Sequence, residues 1–121
     1  MSRILVVDDS ATQTSLFVKF LEKHGHEVLT AASGDAGIAL ATQVQPDVVL
    51  MDVVMPGING FQATRQLTRS SRTRHIPVII VTAKDQEADK IWGARQGAKS
   101  YLTKPVSEKT LIDAVNNVLG A

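Results

Sequence analysis

At 121 residues, 44% of them hydrophobic, the chain is long enough for one domain with a real core and too short for two of ordinary size. Thirteen basic against twelve acidic residues leave a net charge of +1, which supplies no field for nucleic acid or an anionic membrane; the lack of cysteine excludes disulfides, thiolate metal sites and cysteine nucleophiles. Only four apolar residues separate Arg3 from Asp8-Asp9, too few for a signal-peptide core, and no run approaches the ~18 apolar residues of a membrane span, so a cytoplasmic protein is expected.

The first strand is predicted at residues 4–7 and runs into Asp8-Asp9. Ser10-Ala11-Thr12-Gln13 fits a capping box, after which Leu16, Phe17, Phe20 and Leu21 recur at helical spacing until Gly25 stops the helix. A strand at 27–31 ends in bland Ala31-Ala32-Ser33. Ser33 opens a second helix whose Ala36, Leu40 and Val44 share a face, and Pro46 closes it. The third strand, 47–51, delivers Asp52, and the chain then breaks at Met55-Pro56-Gly57. Asn59-Gly60 leads into a helix with Phe61, Thr64, Leu67 and Thr68 on one side. A strand at 77–82 ends in Thr82-Ala83, and Asp85-Gln86-Glu87 brings acidic charge to the start of a fourth helix that ends at Gly97. A last strand, 100–102, precedes Thr103-Lys104-Pro105, and Ser107-Glu108 starts a fifth helix striped by Leu111, Ile112, Val115 and Leu119.

The first, third and fourth strands are continuous apolar runs, the mark of strands covered on both faces in a parallel sheet. Strand and helix alternate without linker or second composition zone, which predicts one α/β doubly wound (βα)5 domain over 1–121 with strand order 2-1-3-4-5. In such a sheet the ligand site lies at the carboxyl ends of the strands. Asp8, Asp9, Asp52, Thr82 and Lys104 all fall there, on strands that would be central.

A carboxylate buried at a strand end costs several kcal/mol unless cations or donors compensate it. Three converging carboxylates repel by ~4 kcal/mol per pair at about 4 Å and an effective dielectric constant of about 20. A hard divalent cation such as Mg²⁺ (or Mn²⁺) relieves this, Lys104 adds a fixed positive charge, and the Thr82 hydroxyl can donate to a phosphoryl oxygen. The set suits in-line phosphoryl transfer onto a carboxylate, where catalysis is mostly positioning and charge compensation. Taken singly, each residue has a plainer reading: Asp8 or Asp9 as a helix cap, Thr82 as a turn residue, Lys104 as surface, Asp52 as half of an ion pair. Their arrival at one sheet edge together favours the joint reading.

These residues, with Met55-Pro56-Gly57 and Asn59-Gly60, make the whole chain resemble the receiver domain of two-component response regulators, the CheY-like superfamily. Lys23-His24-Gly25-His26, the 61–67 segment and the 96–102 segment further resemble the PilH-type receivers of type IV pilus and twitching-motility systems. The resemblance implies that Asp52 accepts a phosphoryl group from a sensor histidine kinase or its phosphotransfer domain. Asp9, Asp52 and the backbone carbonyl of Val54 would ligate the metal directly and Asp8 through water. Lys104 would contact the acyl phosphate, the Lys104-Pro105 bond would be cis, and Thr82 and Tyr101 would form the switch. The output would be phosphorylation-dependent binding of a downstream protein through the fourth helix, fifth strand and fifth helix, with Trp92, Arg95, Lys99 and Tyr101 on that face. With the chain ending at Gly120-Ala121, no output domain is expected, and the protein should be a monomer that pairs at most weakly when phosphorylated. A phosphate sink for a shared kinase is the runner-up, followed by a small aspartate-nucleophile phosphatase, which the adjacency of Asp8 and Asp9 disfavours. Apolar Val54 and basic Lys84 predict slow to intermediate loss of the phosphoryl group.

Of the remaining residues, Trp92, the lone tryptophan, reads as partly buried packing ahead of a partner contact. His24 and His26 read as favourable charge at a helix end, and Arg65, Arg69, Arg72 and Arg74 as a solvated helix end and loop. No nucleic-acid motif accompanies those arginines.

Overall fold

Parallel strands β1 (Arg3–Val7), β2 (Glu27–Ala31), β3 (Val48–Met51), β4 (Val78–Thr82) and β5 (Ser100–Thr103) pair in the order β2-β1-β3-β4-β5. The computed structural model describes residues 2–120; Met1 and Ala121, the ends of the expected domain, lie outside them. Helices α1 (Ala11–Lys23), α2 (Gly34–Val44), α3 (Gly60–Arg69), α4 (Glu87–Arg95) and α5 (Glu108–Leu119) fill the crossovers. Every residue of β3 and β4 is buried, whereas the edge strands β2 and β5 are half-exposed, as central and peripheral positions require.

Because strand side chains alternate faces, one sheet makes two cores. Ile4, Val6, Val48, Leu50, Ile79 and Val81 pack with Phe17 and Leu21 of α1 and Leu111 and Val115 of α5. On the opposite face Leu5, Val7, Val49, Met51 and Val78 meet Ala41, Ala63 and Leu67 from α2 and α3. A smaller cluster of Val53, Phe61 and Ile80 sits beside Tyr101 near the carboxyl end of the sheet.

Several local expectations change. The capping box at Ser10 is half formed: its hydroxyl accepts from the Gln13 amide, but its own amide donates to Asp8 Oδ1 instead of to Gln13. The reciprocal box appears at α3, between Asn59 and Gln62. Leu16 is exposed, because Phe17 and Leu21 already fill the contact of α1 with the sheet. In α2 the inward face is Gly34, Gly37 and Ala41, and Ala36 is exposed. The reason is distance: a Cβ at Gly37 would lie 2.7 Å from Val7 Cγ2, so α2 approaches β1 where it carries no side chain. Trp92 is 46% exposed, more open than the partly buried packing expected of it; α4 buries only Gly93, which rests on Ile80 and the Tyr101 ring.

Candidate functional site

Each acidic residue is placed by the ladder just below it. The Asp8 amide donates to the Ala31 carbonyl and the Asp52 amide to the Val7 carbonyl, both at 3.0 Å, so the strand pairing runs on past the strand ends and brings Asp52 beside Asp8. On the other side Thr82 pairs in register with Thr103, and the Lys104 amide donates to the Thr82 carbonyl at 2.8 Å. The Lys104-Pro105 peptide bond is cis.

The side chains then converge. Lys104 Nζ lies 2.8 Å from Asp8 Oδ2 and 3.3 Å from Asp52 Oδ2. Asp8 and Asp52 are buried and Lys104 nearly so, which makes this a low-dielectric bridge in which removal of one partner is costly. The remaining oxygens are held by backbone: Asp52 Oδ1 accepts from the Val53 amide at 2.7 Å, and Asp8 Oδ1 from Ser10 at 2.9 Å. Asp9 is exposed, and one oxygen each from Asp8, Asp9 and Asp52 lie within 4.8 Å of one another. That donor set suits a hard cation: all oxygen, two carboxylates already oriented and a third facing solvent.

Thr82 is fully buried at the end of β4, and its hydroxyl accepts a long 3.5 Å bond from the Lys84 amide. Tyr101 is half-buried, and its hydroxyl donates to the Lys84 carbonyl at 2.7 Å, tying β5 to the loop before α4. Burial, reinforced by the carboxylates of Asp89, Asp85 and Asp52, pushes the Tyr101 phenol up to about 12. Val54 is 63% exposed at the lip, and Lys84 Nζ lies 3.7 Å from Asp89 in a partly exposed pair.

Two of the residues expected on a partner face line separate hollows. Trp92 lines one against α3, with Phe61 and Arg65, whereas Lys99 lines another of about 480 Å³ between β5 and α5. Arg95 is exposed on the last turn of α4. His24 does more than sit at a helix end: its Nε2 meets Glu108 Oε2 at 3.0 Å, and His24 and Lys23 hold the Glu108 carboxyl below its usual range.

The sequence marks Asn59-Gly60 as a helix start and as part of the receiver pattern but gives Gly60 no role of its own at the site. A Cβ there would stand 1.9 Å from the Asp52 carbonyl oxygen, so the absence of a side chain is what lets α3 start against the backbone of the acidic site. The signal was a glycine after a helix cap, where an ordinary helix former would serve as well.

The description "response regulator receiver domain" matches residues 4–116, nearly the whole chain. The chain belongs to that family. This receiver domain is 65% identical to protein PilH of Pseudomonas aeruginosa over 119 residues, covering 98% of both chains. It is 41% identical to the response regulator PleD of Caulobacter vibrioides over 97% of this chain, but spans only 26% of that longer protein. Among solved structures, a putative response regulator from Chloroflexus aurantiacus superimposes with a TM-score of 0.94 at 32% identity, covering 99% of this chain and 98% of that one. The chemotaxis protein CheY4 of Vibrio cholerae gives 0.91 at 31% identity, covering 98% of each. The fold expectation, including strand order, is met, and the protein is a phosphorelay signalling module.

Proposed function

We propose that Asp52 is the phosphoacceptor and that the acidic cluster binds Mg²⁺ or Mn²⁺. The observation that carries this is the Lys104 bridge: a buried ammonium within reach of both Asp8 and Asp52, with Asp9 open beside them. One Asp52 carboxylate oxygen attacks phosphorus as the bond to the donor histidine nitrogen breaks, and that nitrogen keeps the electron pair. Lys104 sits where it can balance the charge on the phosphoryl oxygens, and the Val53 amide holds the carboxylate in orientation. Asp9, Asp52 and the Val54 carbonyl would hold the cation, with Asp8 joined through water; the cation supplies neutralisation of the acceptor and the transferred group.

In this reading Thr82 moves toward the phosphoryl group and Tyr101 follows. The contact of the Tyr101 ring with Gly93 and its bond to the Lys84 carbonyl support such a coupling, because they join β5 to α4. The readout is a downstream protein on the α4-β5-α5 side, where Arg95, Lys99 and Tyr101 lie with Trp92 at its border. End-to-end similarity to PilH supports a role in pilus-driven motility, with a sensor histidine kinase as donor. No helix among the described residues is long and apolar enough to cross a membrane, in keeping with a cytoplasmic role. Incubation with Mg²⁺ and acetyl phosphate, or with a phosphorylated histidine kinase, should label Asp52; labelling that survives Asp52→Ala overturns the assignment.

A further inference from the structure

Between Asp52 and Asp85 the sequence has no acidic residue, yet Arg65, Arg69, Arg72, Arg74 and Lys84 fall there. All four of those arginines are exposed, as is Arg95 on the last turn of α4. Among the described residues none of these arginines has a carboxylate within salt-bridge distance, whereas Arg3, Lys23, Lys84, Lys104 and Lys109 are all paired. The negative end of α3 accounts for cations in or just past its last turn, at Arg69, Arg72 and Arg74. It does not account for Arg65, a full turn earlier.

Arg65 lies on a hollow of about 220 Å³ between α3 and α4, whose other walls include Phe61, Gln62, Trp92 and Gln96. The two helices are fastened together there, because the Thr68 hydroxyl donates to the Gln96 carbonyl at 2.6 Å. A fixed hollow that sets Phe61 and an exposed tryptophan among the amides of Asn59, Gln62 and Gln96, with the unpaired Arg65 guanidinium on its wall, has the make-up of a protein hot spot.

We propose that the α3-α4 groove is a docking surface for an acidic segment of a partner protein, adjoining the face that reads the phosphoryl signal and meeting it at Trp92. An aliphatic side chain of that segment seats against Phe61 and Trp92, one carboxylate takes the fork of Arg65 in the groove wall, and a second reaches Arg69 one turn further along α3, outside the hollow itself. A polyanionic nucleic acid fits less well: the net charge is only +1, and a single aromatic residue is exposed in place of a series of stacking platforms. None of the groups used takes part in the acidic site, so the unphosphorylated protein binds whether or not residue 52 is an aspartate.

The test titrates the ¹⁵N-labelled full chain with a short blocked peptide in which glutamates flank a central leucine. Saturable amide shifts confined to α3 and α4, together with a change in Trp92 fluorescence, are expected. Affinity should fall about tenfold in an Arg65→Glu, Arg69→Glu variant and not in Lys109→Glu, which changes charge elsewhere. Replacing the leucine by serine should abolish the Trp92 response, and Asp52→Asn should bind as the parent does. Shifts spread over other faces, equal affinity of the arginine variant, or tighter binding of an oligonucleotide of matched charge would each overturn the proposal. Retained acetyl-phosphate labelling of Asp52 in the arginine variant shows that it is folded.

Discussion

Gly60→Ala tests how tightly the acceptor site is built into the fold. A Cβ at residue 60 would stand 1.9 Å from the Asp52 carbonyl oxygen and 2.7 Å from its carbonyl carbon and from Val53 Cα. The first of these is about 1.5 Å short of the 3.4 Å at which ordinary contact begins, and every atom it meets is backbone, so no side chain can swing aside. Either α3 lifts from the sheet or the Asp52–Val53 backbone is displaced. Lifting α3 breaks the 2.9 Å bond from the Gly60 amide to the Val53 carbonyl, worth ~1 kcal/mol, and forced overpacking adds ~1–3 kcal/mol. The expected loss is therefore about 2–4 kcal/mol by urea denaturation, roughly 10 °C in Tm for a domain of this size. Alanine is the better helix former, so propensity alone predicts the opposite sign. Displacement of the Asp52 backbone should also slow acetyl-phosphate labelling of the folded variant. A stability within ~0.5 kcal/mol of the parent together with an unchanged labelling rate would refute the reasoning.

Further outcomes follow from the same geometry. Lys104→Met leaves Asp8 and Asp52 buried and uncompensated, so stability without divalent cation should fall by about 3 kcal/mol, and added Mg²⁺ should stabilise the variant more than the parent in paired denaturation curves. Tyr101 is the only tyrosine, so phenolate absorbance should titrate near 12 in the folded protein and near 10 in urea. Because the folded value is the higher, the contribution of Tyr101 to stability is complete below pH ~10 and is lost as pH rises toward 12; denaturation curves across that window should show the decline, and Tyr101→Phe should remove this component of it. Val54→Asn puts an amide at the exposed lip where it can order attacking water, and should shorten the acyl-phosphate half-life several-fold; an unchanged half-life counts against the lip as the determinant.

What the sequence by itself determined is what depends on neighbours along the chain. The apolar runs of β1, β3 and β4 mark strands buried on both faces, Ser33, Asn59 and Ser107 mark helix starts, and the acidic residues stand where those strands run out. Burial and capping are governed by local pattern, so these features are legible before any fold is known. Tertiary structure decided the rest. Lys104 meets Asp8 and Asp52 across 96 and 52 residues because β1 and β3 are neighbours in the sheet and β4 carries β5 beside them; no spacing along the chain encodes that distance. In α2 two of the three buried residues are glycines and in α4 the one buried residue is, and glycines leave no apolar periodicity to read; the face of Ala36, Leu40 and Val44 therefore misses the Gly34, Gly37 and Ala41 contact, and Trp92 stands more open than partly buried packing implies. Gly60 shows why such positions stay hidden: a glycine required by the closeness of another backbone looks, in sequence, like any glycine beside a turn.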